Sequence, residues 1–570
     1  MRKTSQRILA MTLMVLLIVG CFAGCYVEEE RPEVTLATKN EDGLYTTDPV
    51  TLSVVVGRHP EALTDADQIW YFKYMEWWFA QKGYNVTIEV ENTNREQLNL
   101  LMNSDNMPDV VWALSMSTAD TVRYGVEEHM LLDWTPYLTE ELMPNLCAQY
   151  EANPSMKAAQ TAPDGGIYGL PYITPYPYST IPGMTNRMFV RQSWLDEVGL
   201  KMPTTEQEFL DMLRAFKNVK REGKNTYPMI SDASFLEKYL WTCLGYYGND
   251  GTRFGTEFMI KDEQVYLPAY SEDYRHFVTL MNTMYTEGLI PKDYFSLGSG
   301  GATALISDAA TGVHGWWTLQ YVGDDWADQE LLGPIPMGGN DDVYVSRLSD
   351  YTLSTVYVSS KTKYPEVVAM MMDFMYSEEG AHLYMYGPKQ GEDPLNMVDG
   401  WYLDEQGRYT TAMVASGKYS LMELYARDYI RPHDYAGLRV DPITNGTGEM
   451  ISYTDAVTGK EYKVIHDRTM TKASNDEQWR LETIETWSDY ATSIRLPAAY
   501  LSVEDMEEMT DIGVSVKQWI NQETAKFITG IRPLSDIDKF FEELRGFGVE
   551  SYIETYREVY KTFMENTYGK

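Results

Sequence analysis

The sequence predicts an α/β protein with a helical C-terminal part. Two observations lead there. Strand-like and helix-like segments alternate from residue 50 to about residue 345, and helical apolar stripes dominate afterwards. No internal repeat or low-complexity segment interrupts this pattern.

The elements follow in chain order. Met1–Arg7 carries three basic residues and no acidic one, and Ile8 to Val19 is mostly apolar. That is the length of a secretory h-region and too short to span a bilayer. The run ends in Ile18-Val19-Gly20-Cys21, with a second option at Phe22-Ala23-Gly24-Cys25. Both resemble the bacterial lipobox, in which small residues precede a cysteine that is diacylated and becomes the mature N-terminus. Cys21 has the better aliphatic residue three positions upstream and Cys25 the commoner Ala-Gly pair, so the choice stays open. An ordinary signal peptide with two incidental cysteines is the alternative. Residues 1–25 are thus expected to be a leader and anchor. Residues 26–48, opening with Glu28-Glu29-Glu30-Arg31-Pro32-Glu33, are too polar to bury a core and are expected to be a tether. No later segment offers about 18 uninterrupted apolar residues, so no other membrane span is expected.

Residues 50–56 (Val-Thr-Leu-Ser-Val-Val-Val) predict a strand ending at Gly57. Residues 66–82 place Ile69, Phe72, Met75, Trp78 and Phe79 at helical spacing, and Gly83 closes that helix. Residues 85–90 give the next strand, Leu98, Leu101 and Met102 a second helix, and 108–112 a third strand. This order is that of a parallel sheet with right-handed crossovers, whose ligands sit beyond the carboxyl ends of the strands, here Gly57–His59 and Ser115–Ser117. Tyr168-Gly-Leu-Pro171 leads into a turn-rich stretch through Tyr178. Thr205 and Glu208 predict a capping box, with Phe209, Met212, Leu213 and Phe216 behind it as a buried face. A helix is expected from Pro365 through Met375 to Gly380. Another, capped by Ser502 and Asp505, carries Met506, Met509, Val516, Trp519 and Ile520 towards Phe527, and Gly530 ends it.

Composition narrows the function classes. The formal charge is −37, and loss of the basic leader makes the mature chain more acidic still. Such a polyanion excludes nucleic acid and anionic lipid headgroups as partners, since both need a basic footprint. Only Cys147 and Cys243 lie outside the leader, so there is no disulfide framework; two free thiols or one bridge remain open. No two of the seven histidines fall within five residues of each other, which leaves no His-x-x-x-His zinc site. Asp404-Glu-Gln-Gly407 lacks the acidic alternation of a calcium loop. No Gly-x-Ser-x-Gly elbow, His-Glu-x-x-His or phosphate-cradling Gly-x-x-x-x-Gly-Lys-Ser/Thr occurs. A spatially assembled carboxylate pair is the one catalytic device that local sequence leaves open. No enzyme activity and no cofactor are expected.

Several blocks resemble one known family. They are Pro108-Asp-Val-Val, Tyr168-Gly-Leu-Pro, Val190-Arg-Gln-Ser-Trp-Leu-Asp-Glu-Val-Gly-Leu-Lys-Met-Pro-Thr-Thr205, Tyr364-Pro-Glu-Val and Met375-Tyr-Ser-Glu-Glu-Gly380. In order and spacing they are similar to family 1 extracellular solute-binding proteins. Ala525-Lys-Phe-Ile-Thr-Gly530 and Phe541-Glu-Glu-Leu resemble its large LipO-like branch. The resemblance implies a two-lobe periplasmic-binding-protein-like fold of type II, parallel-sheet lobes joined by hinge strands, and a helical C-terminal part. Lobe 1 would take 49–187 and 345–400, and lobe 2 188–344 and 401–570. Hinge crossings would fall near Asn186–Phe189 and Val343–Leu348. The implied function is capture of a carbohydrate, an oligosaccharide above all, by a monomer anchored outside the cytoplasmic membrane. Delivery would be to two ABC permease subunits served by a separate ATPase, because this chain has no nucleotide-binding motif. A peptide or other polar solute, or a secreted glycoside hydrolase or glycan adhesin, are the alternatives.

A sugar offers hydroxyls in its plane and apolar C–H faces above and below, so its site needs aromatic platforms and planar polar groups. Aromatics make up 13% of the chain, which supplies platforms but makes each one less telling. Thr311-Gly-Val-His-Gly-Trp316-Trp317 matches the family region where an aromatic meets the ligand, so Trp316 and Trp317 come first; a core Trp pair is the other reading. Trp241, Tyr246 and Tyr247 are candidates at an edge of lobe 2, with packing as the alternative. Tyr176 and Tyr178 lie near the hinge, Arg58 and His59 follow the first strand, and Asp232 and Arg187 are loop and hinge charges.

Overall fold

The computed structural model describes residues 34–568, apart from 58–63, 105, 175–186, 250–254, 309, 317–321, 323–327, 347–350, 406–408, 420–421, 433–434, 440–447, 455, 457–458, 460, 468–485, 493 and 497–502. The chain divides into two units, Met1–Thr38 and Lys39–Lys570. In the first, described residues 34–38 have no regular secondary structure. The second is organised by two sheets.

The larger sheet has six strands in the order Gly437–Leu438, Leu170–Ile173, Tyr351–Val358, Val110–Trp112, Val50–Gly57 and Val86–Thr93. Val50–Gly57 is rich in β-branched valines, and its alternate positions Val50, Leu52, Val54 and Val56 are buried. Ser53, on the other face, is tied to the next element: its amide and hydroxyl both donate to the Asp109 carboxylate, at 2.9 and 2.8 Å. The expected first helix begins as a 3-10 turn, Ala66–Gln68, before the α-helix Trp70–Gln81. Arg95–Asn103 follows, capped by a reciprocal Asn94–Gln97 pair, with Leu98 and Met102 buried.

The smaller sheet has the order Gln329–Leu332, Met188–Arg191, Ala310–Gly315 and Thr226–Ser231. Both sheets are mixed rather than purely parallel. In the first, Tyr351–Val358 runs antiparallel to Val110–Trp112 and Leu170–Ile173. In the second, Met188–Arg191 runs antiparallel to Ala310–Gly315 and Gln329–Leu332. The reason is connectivity. Met188–Arg191 and Tyr351–Val358 follow the two places where the chain leaves one sheet for the other, so each enters from the end at which its neighbours finish.

Thr205 caps the helix Glu206–Phe216 by accepting from the Glu208 amide at 3.2 Å. The Glu208 carboxylate in turn accepts chiefly from the amide and hydroxyl of Thr204, each at 2.9 Å. The helix from Pro365 stops at Phe374, and a second, Glu378–Tyr386, starts with Ser377 accepting from the Gly380 amide at 3.0 Å. Gly380 is therefore inside a helix, not at the end of one.

Beyond residue 400 the chain serves both sheets. Gly437–Leu438 pairs in parallel with Tyr172–Ile173, and the short helix Met422–Tyr425 packs on Glu378–Tyr386. Gly437–Leu438 is thus the edge strand of the first sheet. The helix Val503–Thr529 packs on Asp273–Thr286, with Val516, Ile520, Phe527 and Ile528 buried, and Gly530 ends it in the left-handed region at φ 76°. Ser502 lies outside the described residues. Among the described residues no helix is long and apolar enough to cross a membrane.

Candidate ligand cleft

The register shows which ends of the two sheets face the chain crossings. Parallel strands of the first sheet end at Gly57, Thr93, Trp112 and Ile173, and those of the second at Ser231 and Gly315. One crossing leaves Ile173 and enters the second sheet at Met188, opposite Gly315. The return leaves Leu332, also opposite Met188, and re-enters at Tyr351, opposite Ile173. Both crossings therefore join the same carboxyl edges, which is where α/β sheets receive ligands.

Trp316 and Asp232 are the residues directly beyond the second sheet's parallel strands. The Trp316 amide donates to the Arg187 carbonyl at 3.2 Å, tying the two carboxyl-edge residues together. Its indole stacks on Phe235 with centroids 5.2 Å apart and planes at 23°. It is 9% exposed, an aromatic face at the edge of a core rather than in its middle. Asp232 caps the helix Ala233–Cys243, accepting from the Ser234 amide at 2.7 Å and hydroxyl at 2.5 Å. It is 8% exposed, so its charge is held by the helix terminus. Gly315 must lack a side chain here, because a Cβ would collide with Ser231 Oγ and Met188.

The other sequence candidates divide. Trp241 is fully buried, stacked on Phe277 at 4.6 Å and edge-on to Tyr246 at 5.2 Å. The Tyr246 hydroxyl donates to Asp273 at 2.9 Å, and the Tyr247 backbone exchanges two hydrogen bonds with Ile260. These three rings are buried in the same apolar core that reaches Trp316. Arg187 is buried at that edge. Trp317, Tyr176, Tyr178, Arg58 and His59 lie outside the described residues. Cys147 and Cys243 are both free; burial pushes the Cys243 thiol up to about 12.

The first sheet's edge holds groups that sequence reasoning did not single out. Tyr172, in the strand Leu170–Ile173, stacks on Tyr435 with centroids 5.0 Å apart and planes at 22°. Arg431 and Arg439 lie over the same Tyr435 ring. The Arg439 amide donates to the Ile173 carbonyl at 2.7 Å, which fixes this cluster just past the strand end. The signal was present: Arg427–Arg439 places three arginines and two tyrosines in one short stretch of an acidic chain. Trp112, the last residue of its strand, is fully buried and donates to the Tyr384 hydroxyl at 3.1 Å, anchoring this edge from below.

Two stacked aromatic pairs, Trp316–Phe235 and Tyr172–Tyr435, therefore stand at the two carboxyl edges, with guanidinium groups beside the second. Flat apolar faces next to planar donors suit a ring that carries hydroxyls. Among the described residues, no group of three or more His, Cys, Asp or Glu is placed to hold a metal ion.

Comparison with known proteins places this geometry in a family. Residues 62–382 match the profile of the bacterial extracellular solute-binding proteins. The chain is 22% identical over 486 residues to the fructooligosaccharide ABC transporter substrate-binding protein FusA of Streptococcus pneumoniae, covering 83% of each chain. It is 25% identical over 227 residues to the lipoprotein LipO of Bacillus subtilis, covering 38% of this chain and 40% of LipO. The solved structure of S. pneumoniae FusA in complex with kestose superimposes with a TM-score of 0.68 at 19% identity, covering 91% of this chain and 100% of FusA. A human-milk-oligosaccharide ("HMO") binding, ABC-transporter-associated solute-binding protein of Bifidobacterium longum infantis gives 0.69 at 18% identity, covering 90% and 98%. These solved neighbours share the two-lobe α/β fold. The chain belongs to the bacterial extracellular solute-binding proteins.

Proposed function

We propose that this protein captures an oligosaccharide between its two sheets, outside the cell, and delivers it to an ABC importer. The observation that carries the reading is the pair of aromatic platforms at the two carboxyl edges joined by both chain crossings. Two walls linked by two crossings can close on a ligand by hinge motion, and closure would signal a loaded state to the permeases. Relatives named for fructooligosaccharide transport or crystallised with kestose support a carbohydrate as the solute. The first lobe would comprise 49–187 and 345–438, and the second 188–344 with the C-terminal helices; the pairing of Gly437–Leu438 with Tyr172–Ile173 supports that division. Anchoring would run through a diacylated Cys21 or Cys25, and likeness to a protein named as a lipoprotein supports it. The protein would act as a monomer with two permease subunits and a separate ATPase, and without cofactor or catalysis.

The test is a thermal-shift screen of the chain from residue 27 against mono- and oligosaccharides and short peptides. A ligand that binds only the folded state, at about 100 times its Kd, adds about 2.7 kcal/mol of stability. An upward shift with one class of oligosaccharide, with that sugar recovered intact, is the expected result. Shifts with peptides alone would move the ligand class, and consumption of a glycan would make the protein a hydrolase.

A further inference from the structure

Beside the stacked pair Tyr172–Tyr435, the first sheet's edge carries a second group of rings. The short helix Met422–Tyr425 runs on into a π-helical turn, Ala426–Ile430, in which the Arg431 amide donates to the Ala426 carbonyl at 2.9 Å. Turns of this kind are rare and occur frequently at functional sites. This one packs on the helices Trp70–Gln81 and Glu378–Tyr386. Both helices reach the sheet's carboxyl edge, since Tyr71 and Tyr384 each lie 6.1 Å from Trp112, the last residue of its strand. Arg431, which closes the turn, lies over the rings of Tyr384 and Tyr435, at 5.7 and 4.5 Å. The turn therefore stands next to the Tyr172–Tyr435 platform.

The turn organises three tyrosines. Tyr425 and Tyr429 stack with centroids 5.4 Å apart and planes at 27°. Tyr419 meets both edge-on, at 6.0 and 5.7 Å. These distances make a nearly equilateral triangle, so Tyr419 lies to the side of the stack and not over its outer face. Tyr419 and Tyr425 are buried, whereas Tyr429 is only half-buried. Tyr425 braces one face of the Tyr429 ring, and among the described residues no ring covers the other.

The adjoining carboxylates differ in the same sense. Asp399 has both oxygens engaged, by the Tyr425 hydroxyl and by the Ala412 amide, each at 2.8 Å. Asp428 accepts from the Tyr419 hydroxyl through Oδ2 at 2.9 Å, and among the described residues no group donates to its Oδ1. A braced aromatic face next to an open, acceptor-only oxygen suits a ring with an apolar C–H face and a donor hydroxyl, and repels a ligand carboxylate. Tyr429 has no ring contact with Tyr435, six residues on, and that length of chain spans at most about 22 Å. One saccharide chain can therefore lie on both platforms.

We propose that Tyr429, with Asp428 beside it, is an outer subsite that takes a further neutral sugar unit of the same chain, so that the protein selects its ligand by length. The proposal rests on the carbohydrate reading above and deepens it.

The experiment is isothermal titration of the chain from residue 27 with fructo-, xylo-, manno- and malto-oligosaccharides, each as a ladder from disaccharide to hexasaccharide. The expected result is one ladder that binds, with affinity rising at least about threefold at one added unit, the scale of one stacking contact. Tyr429→Ala should reduce that step to less than about twofold. Tyr429→Leu, which keeps apolar bulk without a flat face, should do the same, and Tyr429→Phe should keep the step. The quantity read is the ratio of two affinities within one variant, which general damage to the fold leaves unchanged. If the binding ladder shows no step, or if the step survives in Tyr429→Ala and Tyr429→Leu, the outer subsite is refuted and the carbohydrate reading stands. If no ladder binds at all, both fall together.

Discussion

The indole of Trp316 lies stacked on the ring of Phe235, with centroids 5.2 Å apart, at the point where the strand Ala310–Gly315 ends. Phe235 is buried and fixes the plane of the indole, while Trp316 sits at the edge. A platform braced from behind loses little freedom when a sugar settles on it. Trp316→Ala should therefore weaken saccharide binding at least about tenfold, the scale of one lost stacking contact. It should also lower stability, because truncating a buried Trp costs roughly 3–5 kcal/mol. Trp316→Phe separates the two effects: it keeps the stack, and its affinity should fall between wild type and Trp316→Ala in titration calorimetry.

His314, in the same strand, is buried against Phe189 with ring centroids 5.1 Å apart. Burial, with the nearby positive Arg191, lowers its pKa to about 3, so it is neutral in the folded protein down to strongly acid pH. In the unfolded chain it titrates near 6.5. The unfolded state therefore binds the extra proton between those values, and stability should fall as pH drops from about 6.5 towards 3. The slope from this one group is roughly 1.4 kcal/mol per pH unit. Urea unfolding at several pH values should show a slope steeper by about that amount in the wild type than in His314→Phe. Equal slopes would mean that His314 is hydrated and protonates in place.

His276 should act in the opposite direction. Its Nε2 lies 2.8 Å from a Glu206 carboxylate oxygen, joining the helices Asp273–Thr286 and Glu206–Phe216. The hydrogen bond to Glu206 raises the His276 pKa, and the same bond lowers that of Glu206. A raised histidine contributes stability that is complete below its unfolded pKa and lost as pH rises through the folded value. Because both side chains are partly exposed, the contribution is about 0.2–1 kcal/mol. His276→Gln should lower stability near pH 5.5 and match wild type near pH 8.5, in the same unfolding series.

How much of this was legible from the sequence depended on how local each signal was. The strand at 50–57 announces itself by β-branched alternation, and the helix at 206–216 by its cap and apolar stripe. The strand Leu170–Ile173 did not, because Pro171 interrupts it and the stretch that follows reads as turns. Its partner Tyr351–Val358 is far away in sequence, and Gly169 has no room for a side chain against Ser354. The same distance hid half of the candidate site. Asp232 and Trp316 directly follow strands of their own sheet, whereas Tyr172, Tyr435 and Arg439 meet only when residues 437–438 pair with 172–173. Trp241, Tyr246 and Tyr247 are buried in the same core as Trp316, since a large ring serves a core as well as a cleft.

Gly380 supplies a test of local packing where a sequence rule gave the wrong role. A glycine near the end of a helical stripe reads as a C-terminal cap, yet here it lies in the first turn of Glu378–Tyr386, capped by Ser377. Its lack of a side chain lets this helix fold back against the end of Pro365–Phe374: a Cβ at Gly380 would overlap the Phe374 carbonyl. Helix propensity alone would make Gly380→Ala stabilising by up to about 1 kcal/mol. The clash must push the two helices apart, and backbone displacement of this kind costs about 1–3 kcal/mol or more. Gly380→Ala should therefore destabilise the protein in urea unfolding, with Ser377→Ala losing only the roughly 1 kcal/mol of an N-cap. A stabilised Gly380→Ala would show that the two helices can separate without loss, and that the glycine has no packing role.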